Sequence, residues 1–245
     1  MKSSKPKVLI TGSTSGIGYF LAKEFSNKNY KVILNGRSRK KLNLALKNVN
    51  NADYIFGDMS KTNIIKNNIK KLYKKYNSID VIIANIGNSN FKKNNKNFDF
   101  AIKNNLMPAI NLIENSKKIL KKNSKIICIS SICGAEVIDG APIGYSVAKA
   151  ALNFYVKSAS KELAKSGVSL NAIMPGNIIF KHSVWEKKLK KNKLKTLKYI
   201  SENVPSNKFG TPSDIFLICE MLCNNKSGFI NGSIFKVDGG QTLSL

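Results

Sequence analysis

The stretch that most restricts the fold lies near the start of the chain. Lys7-Val-Leu-Ile10 is a short apolar run, Thr11-Gly-Ser-Thr-Ser-Gly-Ile-Gly18 follows at once, and Tyr19 to Phe25 carries helical periodicity. The pattern predicts a strand, a glycine-rich turn and a helix. Gly12 lets the chain turn sharply, and Gly16 and Gly18 let backbone approach a pyrophosphate and the helix pack on its sheet. Phosphates placed there meet free amide groups at the helix N-terminus. A glycine triplet alone is a weak sign. One that leaves a strand and opens a helix points to a nucleotide-binding βα unit.

The next strand sharpens the ligand. Tyr30-Lys-Val-Ile-Leu-Asn35 runs into Gly36-Arg37-Ser38-Arg39. In dinucleotide-binding units an acidic residue at this place bonds the ribose 2′-hydroxyl, and an arginine accommodates a 2′-phosphate. Gly36 offers no carboxylate. The chain's two arginines, Arg37 and Arg39, both fall in this loop of a protein that uses Lys almost everywhere else. Arg binds phosphate bidentately where Lys acts as a point charge. NADP(H) is therefore favoured over NAD(H).

Strands and helices alternate along the rest of the chain. Helices are predicted over 42–49, 64–76, 101–120, 148–165 and 212–222. Strands are predicted over 52–57, 79–84, 125–129, 168–173 and 232–238. Asp58 stands at a strand end, where it caps the next helix or bonds the adenine. The Lys/Asn-rich stretch from Asn88 to Phe98 reads as a mobile loop. Asn104 and Asn105 interrupt a helix in which Asn is a poor interior residue, so one of them has a local role or marks a kink. The segment 179–208, with His182, Trp185 and alternating lysines and leucines, reads as one or two amphipathic helices forming a lid. The fold class is α/β: a single-domain, Rossmann-type, doubly wound parallel sheet with helices on both faces, spanning 1–245. No internal repeat and no domain boundary is visible.

Composition bounds the partners. The formal charge is +27. The chain is also Lys- and Asn-rich and Arg-poor, which matches A-rich codon usage, and the lysines are spread along it. Base-reading arginines and aromatic stacking platforms are missing, so no nucleic-acid partner is expected. An acidic protein or phosphorylated substrate remains compatible. No apolar run has the length of a membrane span, so no membrane partner is expected. The basic N-terminus lacks a signal-peptide cleavage site, and the chain reads as cytoplasmic. Cys128, Cys133, Cys219 and Cys223 form no Cys-x-x-Cys pair, and the one histidine is far from them. No metal site is expected, and the thiols read as reduced.

Tyr145-Ser-Val-Ala-Lys149 holds the chemistry. Tyr and Lys four apart face the same side of a helix, one turn from each other. An ammonium that close favours the phenolate and lowers the tyrosine pKa. A tyrosine so tuned acts as general acid or base at a carbonyl or alcohol. Many helices have this spacing by chance, and its meaning here comes from its company.

Taken in order, Thr11-Gly-x-x-x-Gly16-Ile-Gly18, Asp58, Asn85-x-Gly87, Asn105, Ser131, Tyr145-x-x-x-Lys149, Pro175-Gly176 and Asp238-Gly239-Gly240 resemble the short-chain dehydrogenase/reductase family in its classical, single-domain form. The resemblance covers nearly the whole chain and is nearest to the 3-oxoacyl-acyl-carrier-protein reductases. It implies that Tyr145 protonates the substrate carbonyl as hydride arrives from the nicotinamide. Lys149 lowers the tyrosine pKa and holds the nicotinamide ribose. Ser131, rather than Ser130, bonds the carbonyl oxygen, and Asn105, rather than Asn104, supports a relay water. It assigns to the cofactor Gly12, Ser13, Ser15, Gly16, Ile17, Gly18, Arg37, Ser38, Asp58, Met59, Asn85, Gly87, Tyr145, Lys149, Pro175, Gly176 and Ile178. It also implies a homotetramer with the 101–120 and 148–165 helices buried between subunits.

The Ser131-to-Tyr145 segment is about one residue longer than in fatty-acid-type reductases, and the sequence departs from the family at two further places. Ile86 replaces the usual Ala, and Phe180 stands near the place of a Thr that holds the carboxamide. Trp185 is a lid anchor or a substrate platform, and His182 touches substrate or lies exposed. The resulting expectation is an NADPH-dependent oxidoreductase interconverting a small-molecule or carrier-bound ketone and a secondary alcohol. A second reading has the same chemistry acting on a sugar, polyol or nucleotide-linked sugar in surface-polysaccharide metabolism. A third, a non-catalytic cofactor-binding regulator, has no need of Asn105, Ser131, Tyr145 and Lys149 together.

Overall fold

A computed structural model describes residues 5–87 and 98–244. Its strands are β1 (Lys7–Ile10), β2 (Lys31–Gly36), β3 (Ala52–Phe56), β4 (Ile79–Ala84), β5 (Leu120–Ile129), β6 (Ser169–Pro175) and β7 (Ile234–Val237). They form one sheet in the order β3-β2-β1-β4-β5-β6-β7, with every neighbouring pair parallel. Parallel strands carry helices on both faces and so read as unbroken apolar runs. Val8-Leu-Ile10, Val32-Ile-Leu34 and Val81-Ile-Ile-Ala84 are all buried.

Successive side chains leave opposite faces of a strand, and each face has its own core. Leu9, Ile33, Ile82 and Ile126 pack with Ile65, Ile69 and Leu72 of α3 (Thr62–Tyr76), Leu112 and Ile113 of α5 (Met107–Ser116), and Leu152 and Val156 of α6 (Ile143–Ala164). Val8, Ile10, Leu34 and Ile83 pack on the other face. Their partners are Leu21 and Phe25 of α1 (Gly16–Asn27), Leu42 of α2 (Arg39–Asn48), and Ile215, Phe216 and Cys219 of α9 (Pro212–Asn224). The chain runs outward from β1 to β3 and then returns to the other side of β1 as β4. That reversal opens a crevice at the strands' carboxyl ends, where ligands of such sheets bind.

Two helices differ from the sequence reading. The 101–120 helix is two helices, α4 (Phe98–Asn105) and α5, followed by a short 3₁₀ turn at Lys117–Ile119, and Leu120 already belongs to β5. The break falls at Leu106 (φ −114, ψ −60), because Pro108 in the first turn of α5 lacks the N–H that would continue α4. The helix expected from Ala148 begins at Ile143, directly after Pro142, which places Tyr145 inside it. The 179–208 segment holds two helices, α7 (Val184–Lys191) and α8 (Lys193–Asn203). Of the proposed loop from Asn88 to Phe98, residues 88–97 lie outside the described residues, and Phe98 opens α4. No helix among the described residues is long and apolar enough to cross a membrane.

Candidate active site

The glycine turn is fastened on both sides. Thr11 Oγ1 donates to the Ile83 carbonyl and accepts the Asn85 N–H, and Asn85 Nδ2 donates to the Thr11 carbonyl at 3.0 Å. On the other side Asn35, fully buried at the end of β2, accepts the Gly12 N–H on Oδ1 at 3.1 Å. Its Nδ2 reaches the Ile55 and Gly57 carbonyls. Ser13 pairs with the Asn35 backbone through both its N–H and its hydroxyl. One asparagine thus ties the ends of β1, β2 and β3 together. It was missed in the sequence, where a polar residue closing an apolar run was the only signal.

The glycines have steric reasons. Gly12 and Gly16 have φ of +63 and +59, in the left-handed region. A Cβ on Gly18 would lie 2.5 Å from Asn85 Nδ2 and 2.7 Å from the Gly12 carbonyl oxygen. Ser15 is the N-cap of α1 yet makes no capping bond, and the first turn carries no acidic residue. The amides of that turn are therefore available to an anion.

These strand ends open onto a cleft of about 650 Å³. Its lining contains Gly12, Ser15, Gly16, Ile17, Arg37, Ser38, Asp58, Met59, Asn85, Gly87, Ser131, Tyr145, Lys149, Pro175, Gly176 and Ile178. Ser13 and Gly18 are not part of it, and they shape the turn from behind. Asn105 is also outside it, buried with Nδ2 donating to the Ala101 carbonyl and Oδ1 facing Gly87, while Asn104 reaches the cleft. Lys41 and Thr14 line the cleft without having been assigned to it, and so do Phe180 and Trp185, which the sequence put near the carboxamide position and in the lid.

At the β2 end, Ser38 caps α2 by accepting the Lys41 N–H, which brings Arg37, Ser38 and Lys41 to one rim. Arg39 turns away, and its guanidinium lies 4.4 Å over the Phe56 ring. The two arginines therefore do different things. Asp58 does not cap α3, whose N-cap is Lys61; it accepts the Ser60 N–H at 2.9 Å. Burial opposes its ionisation, but the Ser60 donors and the Arg37 and Lys61 charges outweigh that and hold the carboxyl below its ordinary range.

At the β5 end, Ser130 and Ser131 point different ways. Ser130 Oγ donates to Asn153 Oδ1 at 2.6 Å, inside the protein. Ser131 Oγ accepts the Cys133 N–H and is hydrogen-bonded to Tyr145. Lys149 lies one helical turn on, almost wholly buried, with Nζ donating to the Ile129 carbonyl at 2.8 Å and 5.7 Å from the Tyr145 ring centre. Burial pushes the Lys149 ammonium down to about 8. Burial also pushes the Tyr145 phenol up to about 12, against the pull of the Ser131 bond. This corrects the expectation that Lys149 lowers the tyrosine pKa. Among the protein's own groups desolvation dominates, and the Lys149 charge is not among the influences on the phenol.

The opposite wall is Pro175-Gly176, Ile178 and the lid. The Phe180 ring lies against Gly16, where a Cβ would be 2.9 Å from it. Ser183 caps α7 by accepting the Glu186 N–H. Trp185 faces the cleft and stacks on Tyr199, with ring centres 5.3 Å apart, and also meets Phe209 at 5.5 Å. It is thus anchored in the lid and part of the wall. His182 is exposed, with φ +68 and its N–H on Glu186.

The family model described as Enoyl-(Acyl carrier protein) reductase matches residues 12–242. The chain belongs to the short-chain dehydrogenase/reductase family, of the classical type, and is an NAD(P)-dependent oxidoreductase. Among its relatives, the 3-oxoacyl-(acyl-carrier-protein) reductase of Rickettsia typhi is 32% identical, with 96% of each chain covered. Similar solved structures include YwfH, an NADPH-dependent reductase involved in bacilysin biosynthesis, at a TM-score of 0.86 and 22% identity over 99% of this chain and 100% of that one. The L-sorbose reductase of Gluconobacter frateurii, complexed with NADPH and L-sorbose, gives a TM-score of 0.87 and 22% identity over 99% and 98%.

Proposed function

We propose that the protein reduces a ketone to a secondary alcohol with NADPH, on a substrate most like the 3-oxoacyl thioesters of its carrier-protein relatives. The observation carrying this reading is the meeting of Ser131, Tyr145 and Lys149 at the end of β5, across one cleft from an uncapped helix N-terminus. The donor set suits a phosphorylated dinucleotide. The α1 amides with Gly12, Ser15, Gly16 and Ile17 hold the diphosphate, and Ser13 and Gly18 support that turn. Arg37, Ser38 and Lys41 hold the 2′-phosphate, and Asp58 and Met59 border the adenine. Asn85, Gly87, Pro175, Gly176 and Ile178 border the nicotinamide. When bound, the cofactor supplies the hydride.

The chain's own groups handle the proton. A phenol held near 12 is protonated at neutral pH, so Tyr145 is loaded as an acid for the reductive direction. Its Oη gives a proton to the carbonyl oxygen as the carbonyl carbon gains hydride. Ser131 Oγ hydrogen-bonds that oxygen as charge develops on it. Lys149, anchored on Ile129, orients the ribose and takes part in returning the proton from water through the Asn105 side.

NADPH oxidation measured over a panel of acyl thioesters and keto-sugars tests the substrate class. A keto-sugar substrate is the second reading, supported by Trp185 in the cleft wall. Tyr145→Phe should lower kcat by roughly 10²–10⁴-fold and leave NADPH binding intact; a variant keeping most of its rate would refute the role. Absence of turnover with every ketone would favour a binding protein. The exposed Phe98 and Phe100 of α4 and Ile143, Val147 and Phe154 of α6 support a homotetramer with these helices between subunits. We also place the protein in the cytoplasm.

A further inference from the structure

The Asp238-Gly239-Gly240 end of the chain forms a hook. The Asp238 carboxylate accepts the N–H groups of Gly240 and Thr242 and the Thr242 hydroxyl. The hook is wedged between two walls of the cleft. A Cβ on Gly176 would lie 2.9 Å from Asp238, and one on Gly239 would lie 2.3 Å from Ser206 Oγ, just beyond α8. The Ser206 N–H donates to the Gly239 carbonyl at 3.0 Å. The hook presents Gln241 between those walls. Gln241 Oε1 accepts Asn177 Nδ2 at 2.7 Å, and Gln241 Nε2 donates to Tyr199 Oη at 3.3 Å. Asn177 sits between Gly176 and Ile178, which line the cleft, and Tyr199 stacks on Trp185, which lines it from the lid.

We propose that Gln241 is a positioning residue. It couples the Pro175–Ile178 turn to the substrate wall through Tyr199 and Trp185, and so sets where the ketone rests. An amide suits the task because its two ends are an acceptor and a donor in fixed geometry, and here each has a partner. Without the bridge, α7, which buries no residue of its own, retains mainly ring contacts to hold Trp185 in place.

The kinetic part of the test rests on the ketone-reductase reading, and the spectroscopic part does not. Trp185 is the chain's single tryptophan, so acrylamide quenching of tryptophan emission reports the lid wall directly. Gln241→Leu and Tyr199→Phe should each raise quenching and raise KM for the ketone roughly three- to ten-fold, the scale of one lost neutral hydrogen bond. The Kd for NADPH and kcat should stay within about two-fold, a margin well below that hydrogen-bond scale. Gln241→Glu should restore the parent values, because a carboxylate accepts from Asn177 Nδ2 and from the Tyr199 hydroxyl. The double variant should cost little more than either single one, as residues acting through one link do. Unchanged quenching and unchanged ketone KM in both single variants, or effects that simply add, would overturn the proposal. Altered quenching with no turnover on any ketone would leave the coupling standing and refute the functional reading. Should Gln241→Leu fail to fold, Tyr199→Phe removes only one oxygen and carries the same comparison.

Discussion

The glycine turn and the lid face each other across one cleft and are held by different forces. The turn is fixed by backbone: Thr11, Asn35 and Asn85 bond main-chain groups of buried strand ends, and the glycines leave no room for a Cβ. The lid helices are held by side chains. α7 buries nothing, α8 buries only Thr196 and Ile200, and the attachment runs through Trp185, Tyr199, Phe209 and Gln241. Backbone groups at sheet ends have few alternatives, so the side proposed to hold the cofactor is preorganised. A lid with few buried contacts belongs to the low-stability end of the molecule, where opening is easy and residues can change to suit a substrate.

The largest expected effect tests the turn. Gly18→Ala must push its Cβ into Asn85 and the Gly12 carbonyl; overpacking of this kind costs about 1–3 kcal/mol. NADPH titration should show affinity down by at least ten-fold, along with a lower Tm. An unchanged Kd would remove the claim that backbone sterics fix this side. Arg37→Asp should come next. Losing a charge-assisted phosphate contact is worth about 1.5–3 kcal/mol, so KM for NADPH should rise ten- to a hundred-fold while KM for NADH changes little. An unchanged preference would refute the role of Arg37 in holding the phosphate.

Smaller effects probe the other side. Trp185→Ala should raise KM for the ketone several-fold and leave Kd for NADPH unaltered; equal losses in both would show that the two halves are one unit. Hydrogen exchange should be faster in α7 and α8 than in β1, β2 and β4.

The proton chemistry lies between the halves and has its own pH signature. With the Tyr145 phenol near 12, the phenolate needed for alcohol oxidation is scarce at neutral pH. Oxidation should speed up steadily as pH rises through 8 to 10, while reduction stays flat through neutrality. Lys149 adds a stability term. Its folded pKa near 8 lies below the ordinary lysine value of 10.5. Between those values the unfolded chain holds a proton that the folded one has released, so stability rises with pH across that window. Lys149→Met lacks this gain, and thermal melts from pH 8 to 10.5 should show the parent improving relative to it.

Much of this was legible because it is local. The alternation of apolar runs with amphipathic helices carried the layer order, and a strand–glycine turn–helix needs no distant residue to be recognised. The choice between Ser130 and Ser131 followed only from resemblance until the fold showed Ser130 bonded inward to Asn153. Asn35 and Gln241 escaped notice because each acts through partners far along the chain, Gly12 and Gly57 for the first and Asn177 and Tyr199 for the second; Lys41 lies close to Arg37 in the chain but is one Lys in a Lys-rich sequence. The pKa of Tyr145 was misjudged for a related reason. Spacing puts Lys149 one turn away, but it does not say that its ammonium is directed at the Ile129 carbonyl or how much water is excluded.

By itself, then, the sequence determined the parallel α/β sheet, the glycine turn, the place of Arg37 at the end of β2 and the Tyr145–Lys149 pair, because strand periodicity, glycine conformation and helical spacing are short-range properties. Only the tertiary structure decided which hydroxyl faces Tyr145, that desolvation outweighs the lysine charge there, and that the C-terminal hook reaches the lid. Those depend on which distant groups exclude water from one another, and chain order does not encode that distance.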